Sequence, residues 1–139
     1  RGLGDVYKRQ ACVGEEMTVL ITGDMSFSYD VNGLSSTYLS PRFKIIVMCN
    51  GGGGIFRFIK PTSDLPELET CFEIHRDISV EKYADLFGLR YFELNDEKSA
   101  AEVLSLFFAE KDRPAILAVH TPNVYNAEVL RGYFRRSRQ

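Results

Sequence analysis

Residues 43–54 read FKIIVMCNGGGG, and the fold turns on them. After Lys44 the run is apolar and rich in β-branched residues as far as Cys49. A continuous apolar run of this length fits a strand covered on both faces, as in a parallel sheet. Four consecutive glycines then break it. Glycine lets the backbone turn sharply and approach a ligand closely.

Upstream, residues 18–22 (TVLIT) form a second short β-branched run bounded by Gly23-Asp24. It reads as a buried strand. Asp30 precedes Val31, Leu34 and Tyr38, a helical spacing with Asp30 as N-cap, and Pro41 lies beyond its end. Downstream, residues 55–66 are apolar and then turn-rich, and residues 64–77 carry an acidic surplus. They read as a loop or lid with at most a short helical turn. Ser79 opens a clear helix with Val80, Tyr83, Ala84 and Phe87 on one stripe, and Gly88 stops it. Residues 90–94 (RYFEL) make a third strand. Ser99 and Glu102 have capping-box spacing ahead of Val103, Leu104 and Phe107, which share a face with Ala100. Residues 115–119 (AILAV) make a fourth strand. Residues 126–136 predict a last amphipathic helix with Val129, Leu130, Tyr133 and Phe134 inward. Strands alternating with helices predict an α/β fold, an open, mostly parallel sheet with helices on both faces.

The chain has 139 residues, the size of one domain. A net charge of -2 and a pI near 5.7 argue against a nucleic-acid binder. Arg131, Arg135, Arg136 and Arg138 read as the wet face of the last helix. The longest apolar run, residues 45–49, falls far short of the roughly 20 residues that span a bilayer. Three scattered cysteines (Cys12, Cys49, Cys71) and no C-x-x-C pair suggest reduced thiols in a cytoplasmic setting. Two histidines, His75 and His120, cannot make a three-histidine zinc site and read as structural. Residues 1–10 (RGLGDVYKRQ) have no useful periodicity and read as a non-native segment ahead of a domain at residues 11–139.

In an open parallel sheet, ligands sit outside the carboxyl ends of the strands. Gly23-Asp24 ends one strand and Asn50 to Gly54 ends the next, 26 residues separating Asp24 from Asn50. If the strands are parallel neighbours, both side chains reach one edge. An Asp carboxylate, an Asn amide oxygen and a backbone carbonyl are hard oxygen ligands of the kind Mg²⁺ takes beside phosphate oxygens. The same residues also make ordinary turns and flexible loops. There is no G-x-x-x-x-G-K-[ST] and no G-x-G-x-x-G, so the P-loop and nicotinamide fingerprints are absent.

Gly23-Asp24, the spacer and Asn50 resemble the thiamine-diphosphate motif, G-D-G followed at a distance by N-N. Met25 stands in place of its last glycine and Cys49 in place of its first asparagine. The longer words TVLITGDMSFSYDVNGL and CNGGGGIFRF resemble the MenD family of menaquinone-pathway synthases, the 2-succinyl-5-enolpyruvyl-6-hydroxy-3-cyclohexene-1-carboxylate synthases. The resemblance covers residues 11 to the C-terminus. It implies the diphosphate-binding domain of the thiamine-diphosphate-binding fold, placed C-terminally in that family and here incomplete at its N-terminus. By that resemblance Asp24 and Asn50 ligate Mg²⁺ by side chain and Gly52 by its carbonyl. Gly23, Met25 and Ser26 lie along the diphosphate, Ser26 also suiting an N-cap or turn. Ile55 and Phe56 line the pocket over the reacting carbon, or serve as plain core. Arg57 is either a substrate-facing residue or a solvated loop charge, and Cys49 a small buried hydrophobe.

The implied reaction decarboxylates 2-oxoglutarate and adds the remainder to isochorismate, in a homodimer or homotetramer. The glutamate that activates the cofactor belongs to a separate domain of the family. Glu15, Glu16 and Glu128 have no motif around them, so no catalytic residue is assigned and this chain alone is expected to be inactive. Two other readings stay open: a piece of another thiamine-diphosphate 2-oxo-acid decarboxylase or acetolactate-synthase-like enzyme, and a non-catalytic α/β module.

Overall fold

The computed structural model describes residues 16–36, 38–59, 61–73, 78–121 and 123–136. Residues 1–10, Cys12, Glu15, His75 and Arg138 lie outside them. Four strands, β1 (Thr18–Gly23), β2 (Phe43–Cys49), β3 (Arg90–Leu94) and β4 (Ala115–His120), form one sheet in the order β1-β2-β4-β3. Every pairing is parallel. The strands match the sequence expectation closely, because their β-branched runs are bounded by glycine, proline and charge.

The pleat sends alternate side chains to opposite faces. On one face Phe43, Ile45 and Val47 of β2 pack with Ile116 and Ala118 of β4. Helices α1 (Asp24–Tyr29) and α3 (Val80–Phe87) cover this face through Phe27, Val80 and Ala84. On the other face Ala115, Leu117 and Ile46 meet Phe107, Val103 and Leu104 of α4 (Ala100–Ala109). The sheet is therefore covered from both sides, as the patterning predicts. α3 has the expected ends: Ser79 Oγ accepts the Lys82 N–H at 3.3 Å, and Gly88 closes it at φ 69°.

Lys44 is fully buried at the amino end of β2. Its ammonium donates to the carbonyls of Pro41 (3.1 Å) and Glu110 (2.7 Å), the latter the C-cap of α4. A cation there satisfies the last carbonyls of the helix. Burial nonetheless pulls the Lys44 pKa down, Glu110 opposing.

Four local expectations are corrected. β1 is an edge strand with one face covered, so Val19 and Ile21 are exposed rather than buried. The helix expected after Asp30 starts seven residues earlier, at Asp24; residues Val31–Ser35 form only a 3-10 turn, and Asp30 makes no capping bond through its side chain. The Ser99–Glu102 box does not form. Ser99 Oγ donates instead to the Asp96 carbonyl at 2.9 Å, and Asp96 caps the preceding 3-10 turn (Glu97–Ser99). The last helix, α5 (Asn123–Arg136), leaves Val129, Leu130, Tyr133 and Phe134 exposed. It packs against α2 (Gly54–Phe58) rather than the sheet, through the Phe58 and Phe134 rings and an Arg131 bond to the Arg57 carbonyl. Arg131, Arg135 and Arg136 do lie on the exposed surface. Among the described residues no helix is long and apolar enough to cross a membrane.

Candidate diphosphate site

β1 and β2 pair in parallel with Gly23 opposite Met48. Their carboxyl ends thus deliver Asp24 and Asn50 to the same edge of the sheet, as expected if the two strands were parallel neighbours. Beyond β2 the chain takes positive φ at three successive residues, Gly51 (84°), Gly52 (83°) and Gly53 (69°). Side chains rarely adopt this region, so the glycines are structural necessities here. The resulting loop turns successive N–H groups inward, the geometry that makes an anion-binding concavity.

The anion it holds is Asp24. Asp24 is buried, with 5% of its surface exposed. Its Oδ2 accepts the N–H groups of Asn50 (3.1 Å), Gly51 (2.9 Å) and Gly52 (3.1 Å). Its Oδ1 accepts the Met25 N–H at 2.7 Å. Among the described residues no ion pair involves Asp24, so backbone dipoles carry its compensation. Asn50 Oδ1 also accepts the Gly52 N–H, at 3.1 Å. The carboxylate and amide oxygens therefore converge on a single N–H.

A carboxylate offers about four lone-pair positions over its two oxygens. Oδ2 accepts three bonds and Oδ1 one, so the open coordination of the carboxylate is on Oδ1. A carboxylate and an amide oxygen that share the Gly52 N–H supply hard oxygens of the kind a divalent cation such as Mg²⁺ takes. The negative charge is felt nearby: burial, then Asp24 and Glu93, push the Cys49 thiol up to about 11.

The other expected residues divide. Gly52 is buried in the loop, and Met25 adjoins Asp24 through its N–H. Ser26 is exposed on α1, whose N-cap is Gly23, so its N-cap reading fails. Ile55 is 61% exposed, whereas Phe56 is half-buried against Phe72, with ring centroids 5.4 Å apart. The plain-core reading of Ile55 therefore fails. Arg57 is not a solvated loop charge: it pairs with buried Glu73 at 2.7 Å and with Glu69 at 2.7 Å. These carboxylates hold the guanidinium pKa above its ordinary value, with Glu69 the larger cause. His120 pairs with Glu93 at 3.1 Å. Sequence reasoning missed the N–H groups of Gly51 and Gly52 as ligands of Asp24, for which the glycine run was the only signal. It missed Glu73 altogether, because nothing in the spacing of an acidic loop marks one carboxylate as buried.

Curated proteins of related sequence match most of this chain. The chain is 49% identical over 117 residues to a 2-succinyl-5-enolpyruvyl-6-hydroxy-3-cyclohexene-1-carboxylate synthase of Porphyromonas gingivalis, covering 84% of the chain and 20% of the relative. It is 40% identical over 126 residues to the synthase of the same name from Flavobacterium johnsoniae, 90% of the chain and 23% of the relative. The chain is homologous to one segment of these synthases. A third, from Christiangramia forsetii, is 37% identical over 120 residues, 86% of the chain and 21% of the relative. The chain thus spans about a fifth of the length of the curated synthases it matches. No family model matches it.

Proposed function

We propose that this chain is the Mg²⁺-diphosphate-holding part of a thiamine-diphosphate-dependent 2-succinyl-5-enolpyruvyl-6-hydroxy-3-cyclohexene-1-carboxylate synthase of menaquinone biosynthesis. The observation that carries it is the grip of the Asn50, Gly51 and Gly52 N–H groups on Asp24 Oδ2, across a gap of 26 to 28 residues. That grip fixes the carboxylate, and the Asn50 amide oxygen accepts the same Gly52 N–H. Asp24 and Asn50 would hold the metal by side chain and Gly52 by its carbonyl. Gly23, Met25 and Ser26 would lie along the diphosphate, and the exposed Ile55 with Phe56 would face the reacting end of the cofactor. When bound, thiamine diphosphate supplies the nucleophilic carbon and the electron sink for decarboxylating a 2-oxo acid. The residues of this chain bind and orient; they move no proton. The activating glutamate lies outside the roles assigned here, and the chain alone is inactive.

In this reading residues 11–139 are the diphosphate-binding domain, C-terminal in the enzyme, and residues 1–10 are foreign to it. The substrates are 2-oxoglutarate and isochorismate, and the enzyme is a cytoplasmic homodimer or homotetramer. The exposed apolar residues of α5 support burial against further protein surface, since such patches mark interaction sites. The test is CO₂ release from 2-oxoglutarate by the full-length protein, with thiamine diphosphate, Mg²⁺ and isochorismate. Isochorismate-dependent turnover that stops without Mg²⁺ is expected. Turnover with other 2-oxo acids and none with this pair would overturn the assignment.

A further inference from the structure

We propose that Glu73 is a positioning residue for the metal-holding loop, acting through Arg57 and Gly53 and touching no ligand itself. The inference rests on the reading of residues 50–53 given above. The Glu73 side chain is completely buried, and both of its oxygens reach Arg57 Nε, at 2.7 and 2.9 Å. Arg57 lies in α2, and the N-cap of α2 is Gly53. The backbone of the same acidic segment presses on that glycine. A Cβ added to Gly53 would sit 2.7 Å from Glu73 Cα and 2.9 Å from the Phe72 carbonyl oxygen. Phe72 meets Phe56 in the turn between these points. Residues 72 and 73 therefore grip α2 at both ends, by backbone at Gly53 and by charge at Arg57.

Gly53 directly follows the three residues whose N–H groups hold Asp24 Oδ2. A displacement of Gly53 is transmitted to those donors through only a few backbone torsions. The two apolar clusters that hold the sheet together contain neither Arg57 nor Glu73. The ion pair can thus fix the loop without being part of what folds the sheet. A buried pair is a geometric constraint more than a source of stability, and removing one partner strands the other charge. Glu69 differs: it pairs with the same guanidinium but its side chain is 69% exposed, so solvent replaces it readily.

The test is residue-resolved amide exchange on the full chain, without ligand, in wild type, Glu73→Gln and Glu69→Gln. Glu73→Gln is expected to speed exchange at Asn50, Gly51 and Gly52 by about tenfold, the scale of one hydrogen bond to a charged group. The amides of Ile45, Val47 and Leu117 should keep their rates, and Glu69→Gln should change neither set. Unchanged rates at residues 50–52, or a uniform rise across the sheet, would overturn the proposal. If Glu73→Gln does not fold, Arg57→Lys, which keeps the charge but loses the two-pronged geometry, must show the same local change. A second arm titrates Mg²⁺ with inorganic pyrophosphate, whose affinity should fall about tenfold in Glu73→Gln. Wild-type protein that binds no Mg²⁺-pyrophosphate would remove the metal reading, while the exchange result alone still decides the role of Glu73.

Discussion

At the scale of single residues, the chemistry rests on oxygens that backbone donors aim. Asp24 is held by four N–H groups from two chain segments, and Asn50 shares one of them. This concentration of charge has a consequence for the adjacent thiol. Cys49 has its pKa raised to about 11 by burial and by the charges of Asp24 and Glu93. At pH 8 its thiolate fraction is then about one in a thousand, and the thiolate is the reactive form. Exposed Cys71 has no such cover. Alkylation at pH 8 followed by peptide mapping should label Cys71 and leave Cys49 unmodified; equal labelling would show that the Cys49 environment is misdescribed. Asp24 and Asn50 were legible in the sequence because each directly follows a strand. The N–H donors were not, since a glycine's role as a donor depends on φ values that no letter records.

At the scale of elements, glycine geometry separates two positions that look alike in sequence. Gly53 and Gly88 both have φ 69°. Gly88 closes α3 with open space where a Cβ would go, while Gly53 is pressed against the backbone of Phe72 and Glu73. Gly88→Ala should cost about 1–2 kcal/mol, the usual penalty of the left-handed region for a side chain. Gly53→Ala should cost more and also weaken Mg²⁺-pyrophosphate binding. Denaturant melts and a binding titration of the two variants check this, and equal costs with unchanged affinity would contradict it. The same scale shows where periodicity misleads. Val129, Leu130, Tyr133 and Phe134 have helical spacing, yet α5 sits on α2 and not on the sheet. The spacing identified a helix with an apolar face; it held no information on what that face meets. The Ser99–Glu102 pattern failed for a related reason: Asp96, three residues earlier, supplied a competing carbonyl and cap.

At the scale of the molecule, the order β1-β2-β4-β3 puts β1 at one edge, beside β2. Parallel pairing of those two strands is what brings the Asp24 and Asn50 loops together. The fold class was legible because the four apolar runs have strand length and are separated by helical patterns. Strand order was not legible, because it depends on which strand enters between which; β4 entered between β2 and β3. The central claim is that the loops following β1 and β2 together hold a metal-bound diphosphate. Calorimetric titration of the full-length protein with thiamine diphosphate tests it most directly, with Mg²⁺ and again with a chelator, in wild type, Asp24→Ala and Asn50→Ala. Binding that needs Mg²⁺ and disappears in both variants is the expected result. Undiminished affinity in both variants, or binding indifferent to the chelator, would contradict it.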